Sequence, residues 1–190
     1  MHNFLITGHG RSGTQFLSKV MNLSKQWTVL HEPPPRTLDA TIEDVQSNFD
    51  RNYYGEVNSV RRLLLFDLEV SKKGVLVRNP YDVWISAMNR SASRAWPIKM
   101  IRLRHSLQII DKAINTGIQA IQFSLMVTDL NYLDSVLKDF GISDVQLESR
   151  HLSPVNNTKK KKYTSLDHMT KEMRKELDGF CEPFIEKHLS

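Results

Sequence analysis

An apolar run from Asn3 to Thr7 ends at Gly8-His9-Gly10-Arg11-Ser12-Gly13-Thr14-Gln15, and a helical pattern follows at once. From Thr14 to about Leu23 that pattern puts Phe16, Leu17, Val20 and Met21 on one face. Strand, glycine-rich loop and helix in this order narrow the choice of fold sharply. A short apolar run of this kind reads as a buried strand, and a helix following directly covers one of its faces. The loop then lies where the helix begins. Backbone N–H groups and the helix dipole at such a place attract an anion.

The rest of the chain repeats the alternation. Trp27–Leu30 reads as a second strand, stopped by His31-Glu32-Pro33-Pro34-Pro35. Residues 39–73 are polar and mixed, and read as helices and loops. Gly74–Val77 is a third strand. Asn79-Pro80 after it offers a cap and a first helical proline, ahead of the stripe Val83, Trp84, Ala87 and Met88. Ile98–Ile114 is amphipathic, and Ala120–Val127 is a fourth strand. Asp129 caps a helix carrying Leu130, Leu133, Val136, Leu137 and Phe140, with Gly141 as its stop. Val145–Leu147 is a candidate fifth strand, and a last helix runs from about Ser165 to Lys187. Such alternation predicts one α/β domain over residues 1–190, with a central, mostly parallel sheet. Ligands of these sheets bind beyond the carboxyl ends of the strands. That rule singles out 8–15, 31–35 and 78–90.

In the first of these segments Gly8 and Gly13 have the spacing of a nucleotide-kinase phosphate loop, GxxxxGK[ST]. The lysine position holds Thr14, and the magnesium-ligand position holds Gln15. A loop without that lysine and that hydroxyl suits a short anion and no metal. Its cation stands earlier, at Arg11. In the third segment Arg78 closes a strand and Ser86 lies two turns into the helix, so the pair forms a second anion site. Asn79 and Asp82 read as helix capping. Glu32 at the end of the second strand is a candidate general base, with His31 as its rival.

Taken in order, the segments resemble the sulfotransferase superfamily. Gly8-x-Gly10-Arg11-Ser12-Gly13-Thr14-Gln15-Phe16-Leu17 is similar to its 5′-phosphosulfate loop, with Gly10 where proline is common. Val77-Arg78-Asn79-Pro80-x-Asp82 with Ser86 is similar to its 3′-phosphate motif. Weaker echoes are the FSLMVTDL stretch and the Val155–Thr158 loop with its lysines. The resemblance implies a three-layer α/β sandwich of the P-loop type and the donor 3′-phosphoadenosine-5′-phosphosulfate, with 3′,5′-diphosphoadenosine as product and no metal. By the same resemblance Ser12, Gly13, Thr14 and Gln15 hold the 5′-phosphate, and Arg11 approaches the transferring group. Arg78 and Ser86 hold the 3′-phosphate, and Glu32 stands where several members carry a catalytic carboxylate.

Charge and composition bound the alternatives. With 40% apolar and 25% charged residues the chain reads as globular, and its net charge of +5 favours an anionic partner. No apolar run spans a bilayer, one cysteine allows no internal disulfide, and seven histidines show no metal spacing. A first strand at Asn3 leaves no room for a signal peptide, so the expected location is cytoplasmic. The expected acceptor is a small molecule, a carbohydrate or a protein, with no membrane involved and the acceptor site either open or completed by a second copy of the chain. Two other functions compete: a magnesium-dependent P-loop nucleotide kinase or NTPase, and a non-catalytic module for polyanions. Lys159–Lys162 read as a solvated loop face or as a late loop over the 3′-phosphate; Tyr163 is the one aromatic beside them, so nucleic acid is not the expected partner.

Overall fold

A computed structural model describes residues 2–34, 41–59, 64–90, 96–152, 164–167 and 169–189. The first run is a strand, β1 (Asn3–Gly8), with every residue buried. The helix α1 (Thr14–Met21) leaves the loop after it. Next come β2 (Thr28–His31), a short α2 (Ile42–Gln46) with a Thr41–Asp44 capping box, β3 (Tyr54–Asn58) and β4 (Lys72–Val77). The chain continues with α3 (Pro80–Arg90), α4 (Trp96–Asn115), β5 (Gln119–Gln122), α5 (Phe123–Met126), α6 (Leu130–Asp139) and α7 (Lys171–His188).

The sheet has five strands in the order β2-β3-β1-β4-β5, and every pairing is parallel. Side chains alternate across it, as strand geometry requires. Leu5, Val75 and Val77 face α3, α4 and α7, where Trp84, Met100, Leu103, Ile110, Leu177 and Phe184 pack against them. Phe4, Ile6, Val29, Leu76 and Ile121 face α1 and α6, where Leu17, Val20, Leu133 and Leu137 meet them. Helices on both faces make the three-layer α/β sandwich expected from the sequence. Each fully buried Leu, Ile or Phe contributes about 1.5–3 kcal/mol, so the two cores together fix the strand ends rigidly.

Four expectations need correction. Residues 39–73, read as helices and loops, contain β3, a fully buried central strand. Its sequence, Tyr-Gly-Glu-Val-Asn, hides the strand because tertiary contacts satisfy its unusual residues. Gly55 is required there because a Cβ would stand 2.1 Å from Cζ of Phe4. Glu56 is buried but accepts hydrogen bonds from Tyr54 Oη and Asn58 Nδ2, both at 2.9 Å. The strand placed at Ala120–Val127 stops at Gln122, and Phe123–Met126 turns into a short helix. There the Gln122 N–H donates to Tyr132 Oη at 2.8 Å. Val145–Leu147 forms no strand, and the last helix begins at Lys171, capped by Thr170, rather than near Ser165. Thr170 Oγ1 accepts from the Met173 N–H, and that bond sets the start.

Candidate functional site

All five strands are parallel, so their carboxyl ends share one rim. The loop after β1 is drawn tight by Ser12 N–H donating to His9 O at 2.9 Å. Gly13 stands at the N-cap of α1 with φ 102°, makes no side-chain cap, and is followed by no acidic residue in the first turn. The helix therefore presents its N-terminal backbone dipole to whatever lies in the loop. Both the angle and the space at this position demand glycine: an added Cβ would lie 2.4 Å from Cδ2 of Phe123.

Arg78 extends two residues past the point where Leu76 of β4 pairs with Gly8 of β1. Its Nη1 donates to the backbone carbonyl of Arg11 at 2.8 Å. The Arg11 side chain turns the other way across the rim, and its Nε donates to Ser86 Oγ at 2.9 Å. The two anion sites read separately in the sequence are thus joined into one surface by direct contacts. Asn79 caps α3 as expected, accepting from Tyr81 N–H at 3.0 Å. Asp82 makes its mark through charge: burial lowers the Arg78 guanidinium from its usual value, and Asp82 partly offsets that. An arginine stays charged in any case. The Arg78 side chain lies on the ring of Phe123, 4.4 Å from its centroid.

On the other side of the loop, Thr14 Oγ1 and His31 Nε2 are 3.2 Å apart. Glu32 accepts from Ser59 Oγ at 2.7 Å, and its Oε1 is 4.0 Å from His31 Nε2. His31 and Glu32 side chains are each 30% exposed, so a solute can reach both. Arg11 and Glu32 also share a backbone property. They are two of the three described non-glycine residues with positive φ, at 85° and 50°. Such a conformation costs of order 1–3 kcal/mol per residue and persists where the surroundings hold it.

The sequence-predicted residues Arg11, Ser12, Gly13, Thr14, Gln15, Glu32, Arg78 and Ser86 therefore all lie along the strand-end rim. Lys159–Lys162 and the Val155–Thr158 loop lie outside the described residues. Two neighbours were not foreseen. Ser59 is hidden with β3, and Phe123 lies in the run that reads as a strand over Ala120–Val127. The residue types fit a doubly phosphorylated nucleotide. Ser12 Oγ and Arg78 Nε are buried polar atoms with no hydrogen-bond partner among the described residues, and Ser12 is only 1% exposed. Orphaned donors of this kind are what phosphate oxygens satisfy. The end of β3 beside the loop carries Asn58 and Ser59, and the Glu32 carboxylate stands there on Ser59.

The fold is similar to that of a sulfotransferase from Alicyclobacillus acidocaldarius, with a TM-score of 0.61 at 16% identity, over 98% of this chain and 94% of that one. It is also similar to the sulfotransferase domain of the Synechococcus PCC 7002 olefin synthase, with a TM-score of 0.56 at 15% identity, over 95% of this chain and 93% of that one. No family model and no curated protein matches the sequence. The chain has the sulfotransferase fold over nearly its whole length. Among the described residues no helix is long and apolar enough to cross a membrane.

Proposed function

We propose that this chain is a sulfotransferase that moves a sulfuryl group from 3′-phosphoadenosine-5′-phosphosulfate to a hydroxyl or amine acceptor. One observation carries the reading: Arg78, Arg11 and Ser86 form a continuous chain of contacts that joins the β1 loop to the end of β4 and to the middle of α3. A site built this way is suited to a ligand with two anionic groups. Ser12, Gly13, Thr14 and Gln15 would hold its 5′ end, and Arg78 with Ser86 its 3′ end. The bound donor supplies the activated sulfuryl group.

The protein's part is then positioning and charge neutralisation. Arg11 lies between the two ends, where negative charge develops on the leaving side. Glu32 accepts the proton of the acceptor. His31 is held toward the loop by Thr14, so it serves the phosphate side rather than the acceptor. The acceptor would approach Glu32, and it belongs to the class of small alcohols, carbohydrates or protein side chains.

Thermal stabilisation tests this reading against its two rivals. A ligand at ~100 times its Kd adds about 2.7 kcal/mol. The expected result is that 3′,5′-diphosphoadenosine stabilises without metal, more than ATP with Mg²⁺ and more than an oligonucleotide. Winning stabilisation by ATP with Mg²⁺ would establish the kinase reading, and by the oligonucleotide the polyanion reading. Transfer of radiolabelled sulfuryl to a panel of alcohols, sugars and tyrosine peptides then identifies the acceptor.

A further inference from the structure

We infer that Ser59, at the carboxyl end of β3, is the positioning residue for Glu32. This rests on the reading of Glu32 as the base. Glu32 follows the last residue of β2 and has φ 50°, so its backbone is held away from the ordinary extended path. A carboxylate on a short, strained turn needs a fixed partner if it is to meet an acceptor in one geometry. The parallel register of β2 with β3 pairs His31 with Val57. Continued by one residue, that register brings Glu32 level with Asn58, one residue before Ser59, and Ser59 Oγ donates to Glu32 Oε1 at 2.7 Å.

The same hydroxyl also backs onto the phosphate loop. A Cβ on Gly10 would stand 3.6 Å from Ser59 Oγ and 3.9 Å from Ser59 Cβ. Ser59 therefore sits between the loop that would hold the donor and the carboxylate that would receive the acceptor's proton. A charge-assisted O–H···O⁻ bond of this length is directional and strong enough to select one carboxylate orientation. Because Ser59 touches Glu32 and not the reacting atoms, its effect is exerted through Glu32.

The test uses the full chain, with 3′,5′-diphosphoadenosine as the binding probe and radiolabelled donor, with water as acceptor, for turnover. Ser59→Ala is expected to lower saturated turnover at least ~10-fold. Its donor KM and its affinity for 3′,5′-diphosphoadenosine should stay within ~2-fold of wild type. Ser59→Thr, which keeps the hydroxyl, is expected to restore most of the turnover. In a Glu32→Gln background the Ser59→Ala change should add nothing further, as a shared pathway requires. A crystal structure of Ser59→Ala with 3′,5′-diphosphoadenosine should show the Glu32 carboxylate moved from its place. Unchanged turnover, losses that add to those of Glu32→Gln, or a carboxylate that stays put would each overturn the inference. A wild-type protein that binds no 3′,5′-diphosphoadenosine would instead overturn the proposed function, and the inference with it.

Discussion

The guanidinium of Arg78 is hydrogen-bonded to the backbone carbonyl of Arg11, at 2.8 Å, although 67 residues separate them in the chain. The bond ties the end of β4 to the loop after β1. It places one half-buried cation against the loop and leaves the Arg11 side chain to reach Ser86. A nucleotide held by both groups would see them as one surface.

Replacing Arg78 should therefore act on binding first. Arg78→Ala is expected to raise the Kd for 3′,5′-diphosphoadenosine at least ~10-fold, the cost of one hydrogen bond to a charged group. Arg78→Lys should recover only part of it, because an ammonium cannot supply the guanidinium fork or its stacking on Phe123. Isothermal titration of the three proteins measures this directly.

Arg11→Ala should act on turnover. The Arg11 carbonyl that anchors Arg78 survives the change, so nucleotide affinity is expected to fall by less than ~5-fold. Loss of a preformed electrostatic contact typically costs roughly 2.7–4 kcal/mol of barrier. Turnover should thus drop at least ~100-fold. A variant with near-wild-type turnover would contradict the role given to Arg11.

Glu32 separates chemistry from backbone strain. Glu32→Ala and Glu32→Gly both remove the carboxylate and are both expected to be inactive. The positive φ of 50° is costly for alanine and not for glycine. Glu32→Gly should therefore be the more stable of the two by about 1 kcal/mol, read as the difference in their denaturant midpoints. Equal stability would mean that the turn relaxes once the side chain is gone.

The contact between α4 and α7 carries a pH dependence. Asp111 accepts from Lys187 Nζ at 2.6 Å and from His188 Nε2 at 2.7 Å. The hydrogen bond from Lys187, then that from His188, lowers the Asp111 carboxyl from its usual value. A lowered folded pKa means that the stabilisation is complete above the ordinary carboxylate pKa and is lost as pH falls through the lower, folded one. The Asp111 and Lys187 side chains are 36% and 50% exposed, so solvent screening keeps the effect to about 1 kcal/mol or less. Asp111→Asn should lose this much at pH 7 and show a smaller drop below about pH 4, measured by urea unfolding across that range.

Much of the site was legible in the sequence because its signals are local. Glycines at 8 and 13, a cation at 11 and an Asn-Pro start at 79–80 depend on residues a few positions apart. Helical periodicity likewise marked α1, α3, α4 and α6 to within a few residues. β3 was not legible, because Gly55, Glu56 and Asn58 look polar or weak until Phe4 and Tyr54 are seen against them. The strand expected through Phe123 stops at Gln122 for a related reason. Its ring is spent on Gly13 and Arg78, not on a ladder.

The sequence by itself determined which local elements form, where the glycine-rich loop lies, and which residues carry charge there. Tertiary structure alone decided that Arg78 meets Arg11, that His31 faces Thr14, and that Ser59 meets Glu32. The reason is geometric. Parallel strands pair residues that are distant in the chain, and the resulting register, which no local pattern encodes, sets which side chains share the rim.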